Sequence, residues 1–253
     1  MVTTFIGVDL AWQTDKNHSG IAVLHGNTNG ATLFPLPTGT VFTLLDVVDR
    51  VVNNSTDNTV VAIDAPLIIK NTAGQRPCEN LIGKKFARYH AAAYPANLTR
   101  YPNSGSVEVA RTLEQKGFSH TPNPASDQYK GGRWFFEVYP HAAQIVLFHL
   151  DKIIKYKKGR VEDKRAGLEI LRHNIRTKFM QGKPPLHYNE PLEELLTRNL
   201  AELRGRMLKD YEDILDALVC AYLAFFYWRW GGEKNELIGN LETGYIINPT
   251  EAL

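Results

Sequence analysis

The sequence predicts an α/β fold built around one mixed sheet. Three observations carry this: three short strand-like runs open the chain, a β-branched apolar segment closes on Asp64, and helical patterns fill the C-terminal half. Phe5-Ile6-Gly7-Val8 is an apolar strand that ends on Asp9. Gly20-Ile21-Ala22-Val23-Leu24 follows a polar turn containing Asp15, Asn17 and Ser19, so the two runs read as a hairpin. Ala31 to Phe34 makes a third strand after the turn formers Asn27-Thr28-Asn29-Gly30. From Val41 to Val52, Leu44, Leu45, Val48, Val51 and Val52 recur at helical intervals until Asn53-Asn54-Ser55 breaks the pattern. Thr59-Val60-Val61-Ala62-Ile63 reads as a buried parallel strand leading into Asp64-Ala65-Pro66.

Residues 67–131 lack a clean period and carry many loop formers, which predicts an insertion with short helices acting as a lid or substrate wall. Arg133 to Tyr139 returns to strand character, Pro140 stops it, and His141 to Leu150 is helical. Asp163 to Met180 is an amphipathic helix with Leu168, Leu171 and Ile175 on one side, closed off by Pro184-Pro185. Further helices are expected over Leu192–Leu203 and Asp210–Trp230, the latter stopped by Gly231-Gly232. Gly244-Tyr245-Ile246-Ile247 adds a short strand or packing arm. At 253 residues the chain suits one domain with a large insertion better than two equal domains.

A formal net charge of +2 means that any affinity for nucleic acid must come from a local basic patch rather than the overall field. Cys78 and Cys220 form no C-x-x-C pair, which points to a reducing, cytoplasmic setting without disulfides or a zinc site. Neither thiol can be given a partner base, so Cys78 is a poor nucleophile and Cys220 reads as core. The first ten residues read as a strand rather than a secretion signal. Ile214 to Trp228 contains Asp216 and falls short of the roughly 20 residues of a membrane span, so it reads as a buried helix and no membrane partner is expected. Neither of the glycine-rich nucleotide-binding fingerprints occurs.

Asp9, Asp64 and Glu137 each stand at or near a strand end, and parallel strand ends converge on one mouth. Asp213 and Asp216 lie three residues apart on one face of an otherwise apolar helix. Bunched carboxylates repel unless a cation neutralises them, which points to Mg²⁺ or Mn²⁺ held by Asp9, Asp64 and Asp213 or Asp216. Paired ions of this kind drive phosphodiester hydrolysis, with Glu137 as an outer ligand or a base. The bland readings are turn and cap acids at Asp9 and Asp64, dipole compensation at Asp213, and a buried ion pair between Glu137 and an arginine of the insertion. Lys155, Tyr156, Lys157 and Arg165 belong to the densest basic run, which suits a phosphate backbone or else a solvated loop. Arg76 offers a fork for phosphate.

Gly7-Val8-Asp9-Leu10-Ala11-Trp12, Ala62-Ile63-Asp64-Ala65-Pro66-Leu67, Arg76-Pro77-Cys78-Glu79, Phe136-Glu137-Val138-Tyr139-Pro140 and Glu212-Asp213-Ile214-Leu215-Asp216-Ala217 occur in an order that resembles the family known as domain of unknown function 429. That family is described as predicted RNase H-like nucleases, similar in outline to RuvC-type resolvases. The resemblance implies an RNase H-like five-stranded sheet in the order 3-2-1-4-5 with its second strand antiparallel. It also implies metal-binding acids at Asp9, Asp64, Asp213 and Asp216, with Glu137 as the acid of the fifth strand. The expected function is a divalent-metal-dependent nuclease acting on DNA or RNA. The alternatives are an actin-like phosphotransferase and a non-catalytic binding module of the same fold.

Overall fold

The run of β-formers at the start of the chain folds into an antiparallel meander of β1 (Thr3–Asp9), β2 (Ser19–Asn27) and β3 (Gly30–Val41). This computed structural model describes residues 2–13 and 17–251, except the side chains of 36–38; Asp15 of the expected turn lies outside the described residues. α1 (Leu44–Asn53) starts where Thr43 and Asp46 form a reciprocal capping box, three residues later than the apolar pattern suggests. It carries the chain back so that β4 (Thr59–Asp64) pairs parallel with β1, and β5 (Arg133–Glu137) then pairs parallel with β4. The sheet runs β3-β2-β1-β4-β5.

Strand side chains alternate between two apolar layers, as the period of two requires. Phe5, Ala22, Leu24, Leu33, Val60, Ala62, Trp134 and Phe136 face one side. There α7 (Gly205–Trp230) lies along β1 and β2, joined by α4 (Pro140–Phe148), α5 (Val161–Asn174) and α6 (Glu190–Thr197). Ile6, Val8, Ile21, Val23, Val61, Ile63 and Phe135 face the other side, covered by α1 and α3 (Gly105–Gln115). α3 belongs to the insertion and gives Val109, Ala110 and Leu113 to this layer, so the insertion is part of the core as well as a wall.

Two glycines set the approach of α7. A Cβ at Gly7 would stand 2.0 Å from the Ala217 carbonyl oxygen and 2.1 Å from the Ala221 nitrogen, and one at Gly20 would stand 2.0 Å from the Asp213 carbonyl oxygen. The helix backbone therefore rests directly on the sheet, with no side-chain layer between them at these points.

Several boundaries differ from the sequence reading. α7 begins at Gly205 rather than residue 210, because Leu208 and Tyr211 continue its buried stripe. α6 stops at Thr197 instead of reaching 203, where Arg198 turns extended. α5 gives way to a wide π-type turn over Ile175–Phe179. A further strand, β6 (Asn235–Asn240), pairs with β7 (Gly244–Pro249) and packs with α2 (Pro77–Phe86) and α4 around Cys78, Ile82 and Ile246. Its polar sequence hides it. Among the described residues no helix is long and apolar enough to cross a membrane.

Candidate active site

Parallel pairing of β1 with β4 places Asp9 opposite Asp64, at the ends of neighbouring strands. Antiparallel pairing places Asp9 opposite Gly20, and the bare Cα of Gly20 admits the α7 backbone at Asp213. The Asp9 and Asp213 carboxyls thus come close enough for each to perturb the other's charge. All three acids line one cavity of about 310 Å³ together with Lys157, Lys209 and His141, walled by Trp12, Tyr94 and Tyr139.

Charge in the cavity is compressed. Burial pushes the Asp9 and Asp64 carboxyls up, Asp64 strongly, while the Lys157 ammonium pulls in the other direction. Burial and then the charge of Asp9 push Asp213 up to about 8. Asp213 Oδ1 accepts a hydrogen bond from Lys209 Nζ at 2.6 Å, and the same ammonium donates to Glu212 Oε1 at 2.8 Å. Asp213 Oδ2 is buried and has no hydrogen-bond partner, although the residue is only 2% exposed. Burial and then the Lys157 charge lower His141 to about 4, so its imidazole is neutral near pH 7. Its Nδ1 is shielded from solvent and unpartnered.

Among the described residues, no three His, Cys, Asp or Glu side chains converge as a preformed metal cage. Mg²⁺ asks for less, since it keeps several waters and takes one or two carboxylates. Asp9, Asp64 and Asp213 share the cavity without forming such a cage, so a cation there would rest on one or two of these carboxylates and on waters.

Several residues singled out from the sequence take other roles. Asp216 is fully buried beneath the cavity, where its Oδ1 accepts from Tyr156 Oη at 2.7 Å and its Oδ2 pairs with Lys157 Nζ at 2.8 Å. Glu137 adopts the ion-pair alternative. Arg76 Nη1 and Nη2 donate to Glu137 Oε2 and Oε1 at 2.9 and 2.6 Å, and the Leu67 N–H donates to Oε2 at 2.9 Å. Both Glu137 oxygens are therefore engaged with the insertion, although Glu137 lines the cavity together with Arg76 and Glu79. Arg76 also gives its Nε to Glu79 at 2.7 Å, so its fork is spent on carboxylates and does not await a phosphate. Burial opposes the Arg76 charge, but the neighbouring Glu137 overrides it and holds the guanidinium ionised.

The basic run divides in the same way. Tyr156 is fully buried with its hydroxyl on Asp216, and a side chain in the core cannot stack on a ligand at the surface. Arg165 donates to the Ala201 and Leu203 carbonyls at 3.1 and 2.9 Å, tying down the loop before α7 rather than facing the cavity. Lys155 is exposed, and Lys157 points into the cavity. Burial, helped by Glu137 and Glu79 and opposed by the Arg76 charge, pushes Cys78 up to about 12, a thiol far from nucleophilic. Lys209 and His141 were not singled out from the sequence. Lys209 sits one turn before Asp213, a signal legible only once α7 is known to start at Gly205.

No curated protein and no solved structure matches the chain. The sequence pattern of the family described as "Protein of unknown function (DUF429)" matches residues 7–243, a span that holds every cavity acid, both cavity lysines and all five strands of the main sheet except the start of β1. The chain belongs to the DUF429 family.

Proposed function

We propose that the chain is a divalent-metal-dependent phosphodiesterase acting on DNA or RNA in the cytoplasm, built on an RNase H-like fold. The observation that carries this reading is the meeting of Asp9, Asp64 and Asp213 in one cavity, where one buried Asp213 oxygen has no hydrogen-bond partner. An antiparallel meander followed by two parallel strands, with acids at the ends of β1 and β4 and on the last long helix, supports the fold assignment. Support for an anionic substrate comes from the loop between α4 and α5, where Lys152, Lys155, Lys158 and Arg160 are exposed. Lys158 Nζ donates to the Tyr94 hydroxyl at 2.9 Å on the cavity wall, so that loop reaches the mouth.

A cation held by Asp9 and Asp213 with Asp64 would supply Lewis-acid stabilisation and a nucleophile at neutral pH. Lys209 clamps one Asp213 oxygen, and the other is left without a partner. The ammoniums of Lys157 and Lys209 attract a phosphate to the acids that would otherwise repel it. His141, neutral near pH 7, lines the same cavity, where an imidazole can hydrogen-bond a water. Arg76, bound to both Glu137 and Glu79, fixes the wall formed by the start of α2.

The test is cleavage of single-stranded, duplex, hybrid and branched nucleic acids with Mg²⁺ or Mn²⁺. Asp9→Asn should reduce any metal-dependent cleavage by on the order of 100-fold or more. A wild-type protein that binds Mn²⁺ and cuts none of these substrates overturns the nuclease reading. One observation favours a non-catalytic module instead: Lys157 and Lys209 already neutralise part of the cluster. That reading requires calorimetry to find no divalent-ion binding at all.

A further inference from the structure

We propose that the Lys157 ammonium occupies the position of a second divalent cation, so that the carboxylate cluster takes one metal ion and not two. This rests on the metal reading above and deepens it. Two-metal hydrolases hold their ions about 3.5–4 Å apart and share carboxylates between them. Here the acid that would serve the second ion is Asp216, which has one oxygen hydrogen-bonded and the other, though it accepts no hydrogen bond, in ion-pair contact with an ammonium. Lys157 Nζ stands 2.8 Å from Oδ2, and Tyr156 Oη donates to Oδ1 at 2.7 Å. The same ammonium faces Asp9 and Asp64, so one fixed positive charge serves three carboxylates. A second dication placed among these groups would meet the ammonium at close range in a largely buried site, where like charges repel strongly.

Lys157 is also held there by construction. Tyr156 is fully buried, and Gln144 Nε2 donates to its hydroxyl at 3.1 Å. Gly167 of α5 lies so near that a Cβ would stand 2.2 Å from the Lys155 carbonyl oxygen and 3.0 Å from the Tyr156 Cα. The helix therefore clamps the backbone on the N-terminal side of Lys157, while Lys155 and Lys158 beside it remain exposed. Asp213, with its unpartnered oxygen, is left to the single ion together with Asp9 and Asp64.

Mn²⁺ titrated into the full chain, followed by calorimetry and electron paramagnetic resonance, distinguishes the cases. One ion per chain with an uncoupled six-line spectrum is expected for the wild type. Lys157→Met, which frees Asp216, should take up two ions with a spin-coupled spectrum, and Lys157→Arg, which keeps the charge, should stay at one. Two ions in the wild type overturn the proposal, whether or not the variants fold, and so does Lys157→Met binding one ion with unchanged affinity. A wild type that binds no Mn²⁺ overturns instead the metal reading on which it rests.

Discussion

Single side chains in this protein are decided by what their polar atoms find within reach. Glu137 and Arg76 are each about 2% exposed and satisfy one another with two hydrogen bonds, a geometry in which losing either partner strands a buried charge. Arg76→Met should therefore cost about 3–5 kcal/mol in urea unfolding, while Lys155→Ala, an exposed change, should stay within about 0.5 kcal/mol. His120 gives a pH signature. Its ring stacks on Phe135 at 4.4 Å between centroids and shares a 2.8 Å hydrogen bond with Tyr245 Oη, and burial lowers it to about 4. The unfolded chain then binds more protons than the folded chain between that value and about 6.5. The stability tied to this neutral ring is complete above about pH 6.5 and declines as pH falls towards 4, by on the order of 2–3 kcal/mol. His120→Gln should flatten that part of the profile in unfolding measured from pH 7 to pH 4.5. An equal slope in both proteins would refute the assignment.

At the scale of elements, the site depends on how closely α7 meets the sheet. Asp213 reaches Asp9 only because Gly20 lacks a Cβ, and Ala217 and Ala221 continue the contact at Gly7 one and two turns later. Gly20→Ala should displace the start of α7, with a stability loss of about 1–3 kcal/mol and a weaker affinity for Mn²⁺. Gly7→Ala should lose similar stability while disturbing the cluster less, because its clash lies farther along the helix. Unfolding curves paired with metal titrations of both variants separate packing from positioning. Strands that are continuous β-branched apolar runs, such as Thr59–Asp64, can be placed from sequence to within a residue. The hairpin strand Asn235–Asn240 cannot, because half its residues are polar and its apolar partners lie on α2 and β7.

For the whole molecule, the cavity sits where the strand ends, the insertion and the α4–α5 loop meet, so a bound ion would tie together distant parts of the chain. At a hundred times its dissociation constant, Mn²⁺ should add about 2.7 kcal/mol. In a chain of this size that is roughly 5–10 °C in Tm. Asp9→Asn should abolish most of this shift in a thermal melt, and a shift retained in full would place the ion elsewhere. The insertion over 67–131 takes part in this unity as well, since α3 closes one apolar layer and Arg76 at the start of α2 locks the end of β5.

Sequence by itself determined the mixed α/β layering and the strand-end positions of Asp9 and Asp64, because a continuous apolar run and the carboxylate that closes it are local properties of a few residues. It also carried the family pattern now matched over residues 7–243. Tertiary structure alone decided which charges face which. Glu137 went to Arg76, 61 residues away in the chain, and Asp216 went to Lys157 and Tyr156, while Asp213 kept an oxygen free beside Asp9. The reason is physical: a buried charge must find a partner, and the nearest partner is set by how helices and loops from distant segments pack, which no local pattern records.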